Sequence, residues 1–128
     1  MTPAAAKGLH EVGTLSGRVL AMEILQELLQ SKTNRKWATM SEDDLAAWLQ
    51  KICVREDHND LAAKLPNLRA HTVIGVMRSI LDSGVSREEV AAVYHNAFVL
   101  GVKGAAQRFF AEHQRNVKTS RQSNRDLN

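Results

Sequence analysis

The chain has a single cysteine, Cys53, so no disulfide can close within it. Stability then has to come from packing, and a lone thiol fits a reducing compartment. Only two prolines, Pro3 and Pro66, interrupt the 128 residues, so almost the whole chain is free to enter regular structure. Aromatic side chains are 5% of the residues, which leaves the core to aliphatic groups. No apolar run approaches the roughly 18 residues of a membrane span. The opening "MTPAAAKGLHEVG" has no hydrophobic stretch of signal-peptide length. The expectation is a cytoplasmic protein with no membrane association.

Sustained alternation rich in Val, Ile and Thr is missing as well, whereas apolar residues recur three and four apart almost throughout. This pattern predicts an all-α fold. A chain of this length buries roughly two-thirds of its unfolded surface, enough for one domain without metals or disulfides. The expected architecture is a compact bundle of about five helices in a single domain over residues 1–113, with a long C-terminal helix. A disordered basic tail is expected over residues 114–128.

The net charge of +3 decides where that boundary falls. Lys and Arg balance Asp and Glu up to residue 113, and Arg115, Lys118, Arg121 and Arg125 then stand against Asp126 alone. With only Val117 and Leu127 to bury, the tail reads as a solubilising terminus or a phosphate contact.

A first helix is expected from Gly17 to Gln30, behind a Ser16 cap, with Leu20, Ile24, Leu25, Leu28 and Leu29 turned to the core. "SKTNRKWAT" ends it. Ser41 opens the next helix, with Glu42, Asp43 and Asp44 at the positive end of the dipole and Leu45, Trp48, Leu49 and Ile52 as its apolar face. Met40 can staple onto Leu45. Val85, Ser86, Glu89 and Val90 supply staple, cap, capping-box partner and staple contact directly after Gly84. The helix they start could reach His113, about 42 Å at 1.5 Å per residue, longer than such a domain is wide. Either it kinks at Gly101 or Gly104, or it runs straight. In the straight case Ala97, Gly101, Ala105 and Phe109 are candidates for self-association. A central helix wrapped by its own chain is the competing arrangement.

"LAAKLPNLRAHTVIGVMRS" resembles the DNA-binding helix-turn-helix over about 20 residues, with Ala63, Asn67, Leu68, Val73 and Val76 on the pattern's small, turn and apolar places. The resemblance implies that Arg69, His71 and Arg78 face base edges, with Thr72 near a phosphate and Lys32, Arg35 and Lys36 as further phosphate contacts. Pro66 and the acidic Glu56, Asp57 and Asp60 run against that register. A packed hairpin fits the same residues, with Val73, Val76, Met77 and Ile80 buried and the arginines solvated.

The five histidines show no ligand spacing, no glycine-rich phosphate loop occurs, and Cys53 falls on an apolar helix face. "REDHND" reads as a solvated helix cap, and Tyr94–His95 as a core tyrosine beside an exposed histidine. The expectations are therefore no enzymatic activity, no cofactor, no metal and no small-molecule substrate. What remains is a small regulatory, adaptor or inhibitor protein that binds another protein through its helices, possible homodimerisation included. The alternative is a DNA-binding regulator using residues 61–80.

Overall fold

A computed structural model describes residues 1–31, 36–63 and 68–126, with 114–126 as helical backbone. The described residues form four α-helices and one short 3-10 turn, with no strand. The all-α expectation holds.

Helix α1 spans Pro3–Gln30. The Thr2 hydroxyl accepts the Ala5 N–H at 3.1 Å, and Pro3 occupies the first turn, where an amide would lack a partner in any case. The expected start at Gly17 is therefore too late. Ser16 is buried inside the helix, and Gly13 and Gly17 serve close packing.

After the turn at Lys36–Thr39, helix α2 covers Glu42–Ala62. Ser41 caps it by accepting the Asp44 N–H at 3.1 Å, and the three acidic residues fill the first turn as expected. The helix runs on through residues 55–60 to Ala62, so the expected cap at "REDHND" and the start of the helix-turn-helix or hairpin belong to one continuous element. That merger reduces five expected helices to four.

Helix α3 spans Leu68–Asp82 and ends where the Ser83 and Gly84 amides bond back to Ile80 and Leu81. Gly84 takes a φ of +94°, open to glycine at little cost. Helix α4 spans Arg87–Asp126. Its cap matches the sequence reading: the Ser86 hydroxyl accepts the Glu89 N–H at 3.2 Å, Val90 is buried, and Val85 packs on the core.

The last helix takes the straight one of its two alternatives and departs from the expectation of a disordered tail. It is unbroken at Gly101 and Gly104, and it continues to Asp126 in place of a disordered tail. No glycine or proline follows Gly104 within it, so nothing local stops propagation once the helix has formed.

Gly101 serves close packing and marks no kink. A methyl group there would run into the Thr14 carbonyl, one at Gly17 into the Phe98 carbonyl, and one at Gly13 would stand 2.8 Å from the Ala97 Cβ. Residue numbers rise together on both helices, so α1 and α4 run parallel, backbone against backbone. The core around this pair takes Leu9, Leu20 and Leu25 from α1, Leu45 and Leu49 from α2, Val73 from α3, and Phe98, Val102 and Phe109 from α4. Trp37, in the 3-10 turn, sits edge-on to Phe109 with centroids 5.2 Å apart.

Substitutions of two glycines should separate packing from propensity. Gly17→Ala is expected to lower stability by roughly 1–3 kcal/mol because the Phe98 carbonyl has to move. Gly8→Ala, with open space around it, should raise stability by roughly 0.5–1 kcal/mol. Ser86→Ala should cost about 1 kcal/mol through the lost cap. Urea midpoints of the three variants check all of these.

Candidate functional site

Five polar side chains from all four helices converge where an aliphatic core would be expected. Asp57, 2% exposed, stands one turn before Asp60 on the same side of α2. The first turn of α3 brings Arg69 to both. Its Nη1 donates to Asp57 Oδ1 at 2.5 Å and to Ser16 Oγ at 2.6 Å, and its Nη2 donates to Asp60 Oδ2 at 2.5 Å. From α4, the Tyr94 hydroxyl donates to Asp57 Oδ2 at 2.9 Å and lies 3.3 Å from Ser16 Oγ.

Burial opposes the charge on Arg69, yet the hydrogen bonds it donates to Asp57 and Asp60 and the Asp57 charge outweigh it, and the guanidinium is held above its ordinary pKa. Tyr94 is pushed up, first by burial and further by Asp57. Cys53, one turn before Asp57, is pushed up to about 12 by burial, with the Asp57 charge adding to it and Arg69 opposing. That thiol is a core group, as its place on the apolar face suggested, and a poor nucleophile near neutrality.

A cleft of about 500 Å³ between α2, α3 and α4 reaches Asp57 and Tyr94, with Val54, Leu61, Met77 and Phe98 in its walls and the exposed His58 and His95 beside them. Among the described residues no three His, Cys, Asp or Glu side chains gather as a metal site. No described helix is long and apolar enough to cross a membrane.

The sequence-selected residues fall in different places. Arg69 points inward to the two aspartates, contrary to both readings of the motif, which left it solvated or facing bases. The acidic residues that seemed to oppose a phosphate backbone are its partners. His71, Thr72 and Arg78 are exposed on α3, and the Thr72 hydroxyl donates to the Leu68 carbonyl at 2.9 Å. Val73 and Ile80 are buried, with Val76 and Met77 partly so, as the packed-hairpin reading requires. Lys36 is exposed in the 3-10 turn. Lys32, Arg35 and the turn at Pro66 and Asn67 lie outside the described residues, as do the side chains of the basic segment after His113. Ala97, Gly101, Ala105 and Phe109 are buried within one chain, where α1 and Trp37 of the 3-10 turn already cover them. They are not a free face.

The free apolar face lies on α1, and the sequence reading passed over it. Val12, Leu15, Val19, Met22, Gln26 and Leu29 are spaced alternately three and four apart, the seam of a heptad repeat. Leu15, Met22 and Leu29, seven apart, are 50%, 46% and 42% exposed. The seam borders two hollows. Leu68 and Thr72 of α3 flank its first half in a cleft of about 260 Å³, and Gly104, Arg108 and Phe109 of α4 flank its second half in a groove of about 390 Å³. The heptad was visible in the letters, but a helix begun at Gly17 cut it in two.

Asp57→Ala should destabilise the fold by about 3–5 kcal/mol, because it leaves Arg69 with a desolvated charge and only Asp60 to meet it. Chemical denaturation checks this. The Cys53 thiol should resist alkylation at pH 8 in the native protein and react rapidly in denaturant. Because the unfolded thiol ionises near its ordinary 9.0 and the folded one only near about 12, stability should fall as pH rises above 9.

Comparisons with protein-family models, with characterised proteins and with solved structures return no match to this chain.

Proposed function

We infer that this chain is a non-catalytic helical binding module, of the regulatory or adaptor kind, whose docking face is the apolar seam of α1. The observation that carries this reading is the exposure of three large apolar side chains at seven-residue spacing on a helix whose opposite face is fully used by the core. Isolated exposed apolar residues are ordinary, but a continuous stripe along 18 residues of rigid helix marks a surface that buries itself against something. A hollow borders each half of the stripe, against α3 and then against α4, which suits an amphipathic helix anchored at heptad positions. The engaged state of Arg69 supports protein over DNA as the partner, since the cation best placed for base contact is held by two carboxylates.

Fluorescence anisotropy tests the reading with a labelled, designed amphipathic peptide carrying Val and Leu at heptad spacing. Saturable binding to the full chain is expected, insensitive to salt between 50 and 200 mM to within a few fold, and lost in Met22→Lys. Helical circular dichroism and thermal midpoint should be unchanged in that variant, because Met22 lies outside the core. Absence of peptide binding, or duplex DNA binding that falls steeply with salt, would overturn the proposal.

A further inference from the structure

We propose that the occupant of the α1 seam is the α1 seam of a second copy, paired in parallel and in register as a two-stranded coiled coil. The proposal rests on the docking reading above and adds the partner, the orientation and the register.

Three features of the seam select this occupant. The first is side-chain shape. Val12, Val19 and Gln26 take one set of heptad positions, and Leu15, Met22 and Leu29 the other. Written as a heptad, these are the a and d positions. β-Branched residues at a with unbranched-Cβ residues such as leucine at d favour two parallel strands over higher assemblies. The second is Gln26, the one polar a position, exposed on the seam. Its amide meets a hydrogen-bonding equal only when the partner places its own amide at the same level, and a single polar a position fixes register in this way.

The third feature is charge. Arg18 and Glu23 flank the seam at the g and e positions, both exposed, and neither has an ion-pair partner among the described residues. In a parallel pair each g residue faces the e residue five further along the other strand, so Arg18 of each copy meets Glu23 of the other, twice by symmetry. An antiparallel pair loses this match, because e then faces e and Glu23 approaches its own equivalent. A foreign helix would have to supply all three complements; a second copy already carries them.

The exposed d positions, Gln26 and the edge residues Arg18 and Glu23 are the part of α1 open to such a pair. Away from the seam the core side of α1 is filled by Leu20, Ala21 and Leu28, while Leu9, Ser16 and Leu25 are buried at its e and g edges. A two-fold axis parallel to α1 therefore places the two bodies on opposite sides of the contact. The seam from Val12 to Leu29 is about 26 Å long at 1.5 Å per residue, a little over two heptads. A contact of this length is expected to be reversible and concentration-dependent.

Sedimentation equilibrium of the full chain tests this. A mass rising with concentration toward twice 14.2 kDa is expected. Met22→Glu should weaken association by at least about a hundredfold, with helical circular dichroism unchanged. Arg18→Glu should weaken it roughly tenfold, and the exchange Arg18→Glu with Glu23→Arg should restore it. Gln26→Cys, at the self-facing position, should form an interchain disulfide on mild oxidation, which an antiparallel pair would not allow. A single-chain mass at every concentration, a dimer indifferent to Met22→Glu, or a charge exchange that fails to restore pairing overturns the proposal. A single-chain mass with Met22-dependent peptide binding overturns self-pairing alone, whereas loss of both overturns the docking reading as well.

Discussion

The position of every helix in this protein depends on how one guanidinium is satisfied. Arg69 leaves the first turn of α3 and finds Asp57 and Asp60 on α2 and Ser16 on α1, while Asp57 is held from its other side by Tyr94 on α4. An apolar core of the same volume could be as stable, since desolvating the ions offsets much of their attraction. What the ions add is intolerance of error. If α3 slides by one turn, or α4 rotates enough to withdraw Tyr94, a carboxylate or a guanidinium is left in the core without a partner, at a cost of several kcal/mol. Leucine packing alone tolerates such shifts far better, and most of the remaining core is aliphatic.

A second constraint comes from the glycines. Gly13, Gly17 and Gly101 let α1 and α4 approach until the backbone of each meets the other, which permits weak Cα–H to carbonyl contacts as well as dense packing. Two helices so close cover only a narrow strip of each other. The side of α1 opposite its core residues is then left without cover from its own chain, and that is where Leu15, Met22 and Leu29 stand. The exposed seam is thus a consequence of how the core is assembled, and its heptad spacing is the separate fact that gives it meaning.

Much of the fold was legible in the sequence because its signals are local. The caps at Ser41 and Ser86, the glycine turn at Gly84, the apolar faces of α2 and α3 and the core placement of Cys53 follow from residues within a few positions of one another. The errors share a cause. Ser16 reads as a cap, Gly101 as one place for a kink and Asp57 as part of a solvated cluster, because the residues that explain them are far along the chain: Arg69 lies 53 positions from Ser16, Thr14 lies 87 from Gly101, and Arg69 and Tyr94 lie 12 and 37 from Asp57. A small residue mid-helix looks identical in sequence whether it weakens the helix or admits a neighbour. An aspartate likewise does not announce the arginine that will meet it. The resemblance to a DNA-binding motif places Arg69 outward for the same reason, since the motif is local and the aspartates that hold Arg69 belong to the preceding helix.

The polar knot and the apolar seam also meet physically. Ser16 and Arg69 line the same cleft as Val12, Leu15 and Val19, and the Arg69 side chain retains 16% exposure. A helix seated on the seam covers this cleft and removes water from the exposed edge of the guanidinium. Its two carboxylate partners are already in place, so lowering the local dielectric strengthens ion pairs that exist rather than stranding a charge. Association at the seam and integrity of the knot therefore favour each other, and linkage makes the coupling reciprocal. The same geometry explains why a seam so apolar does not have to belong to the core: it lies over the one cluster that fixes the helices, where cover from a partner has an effect on the whole fold.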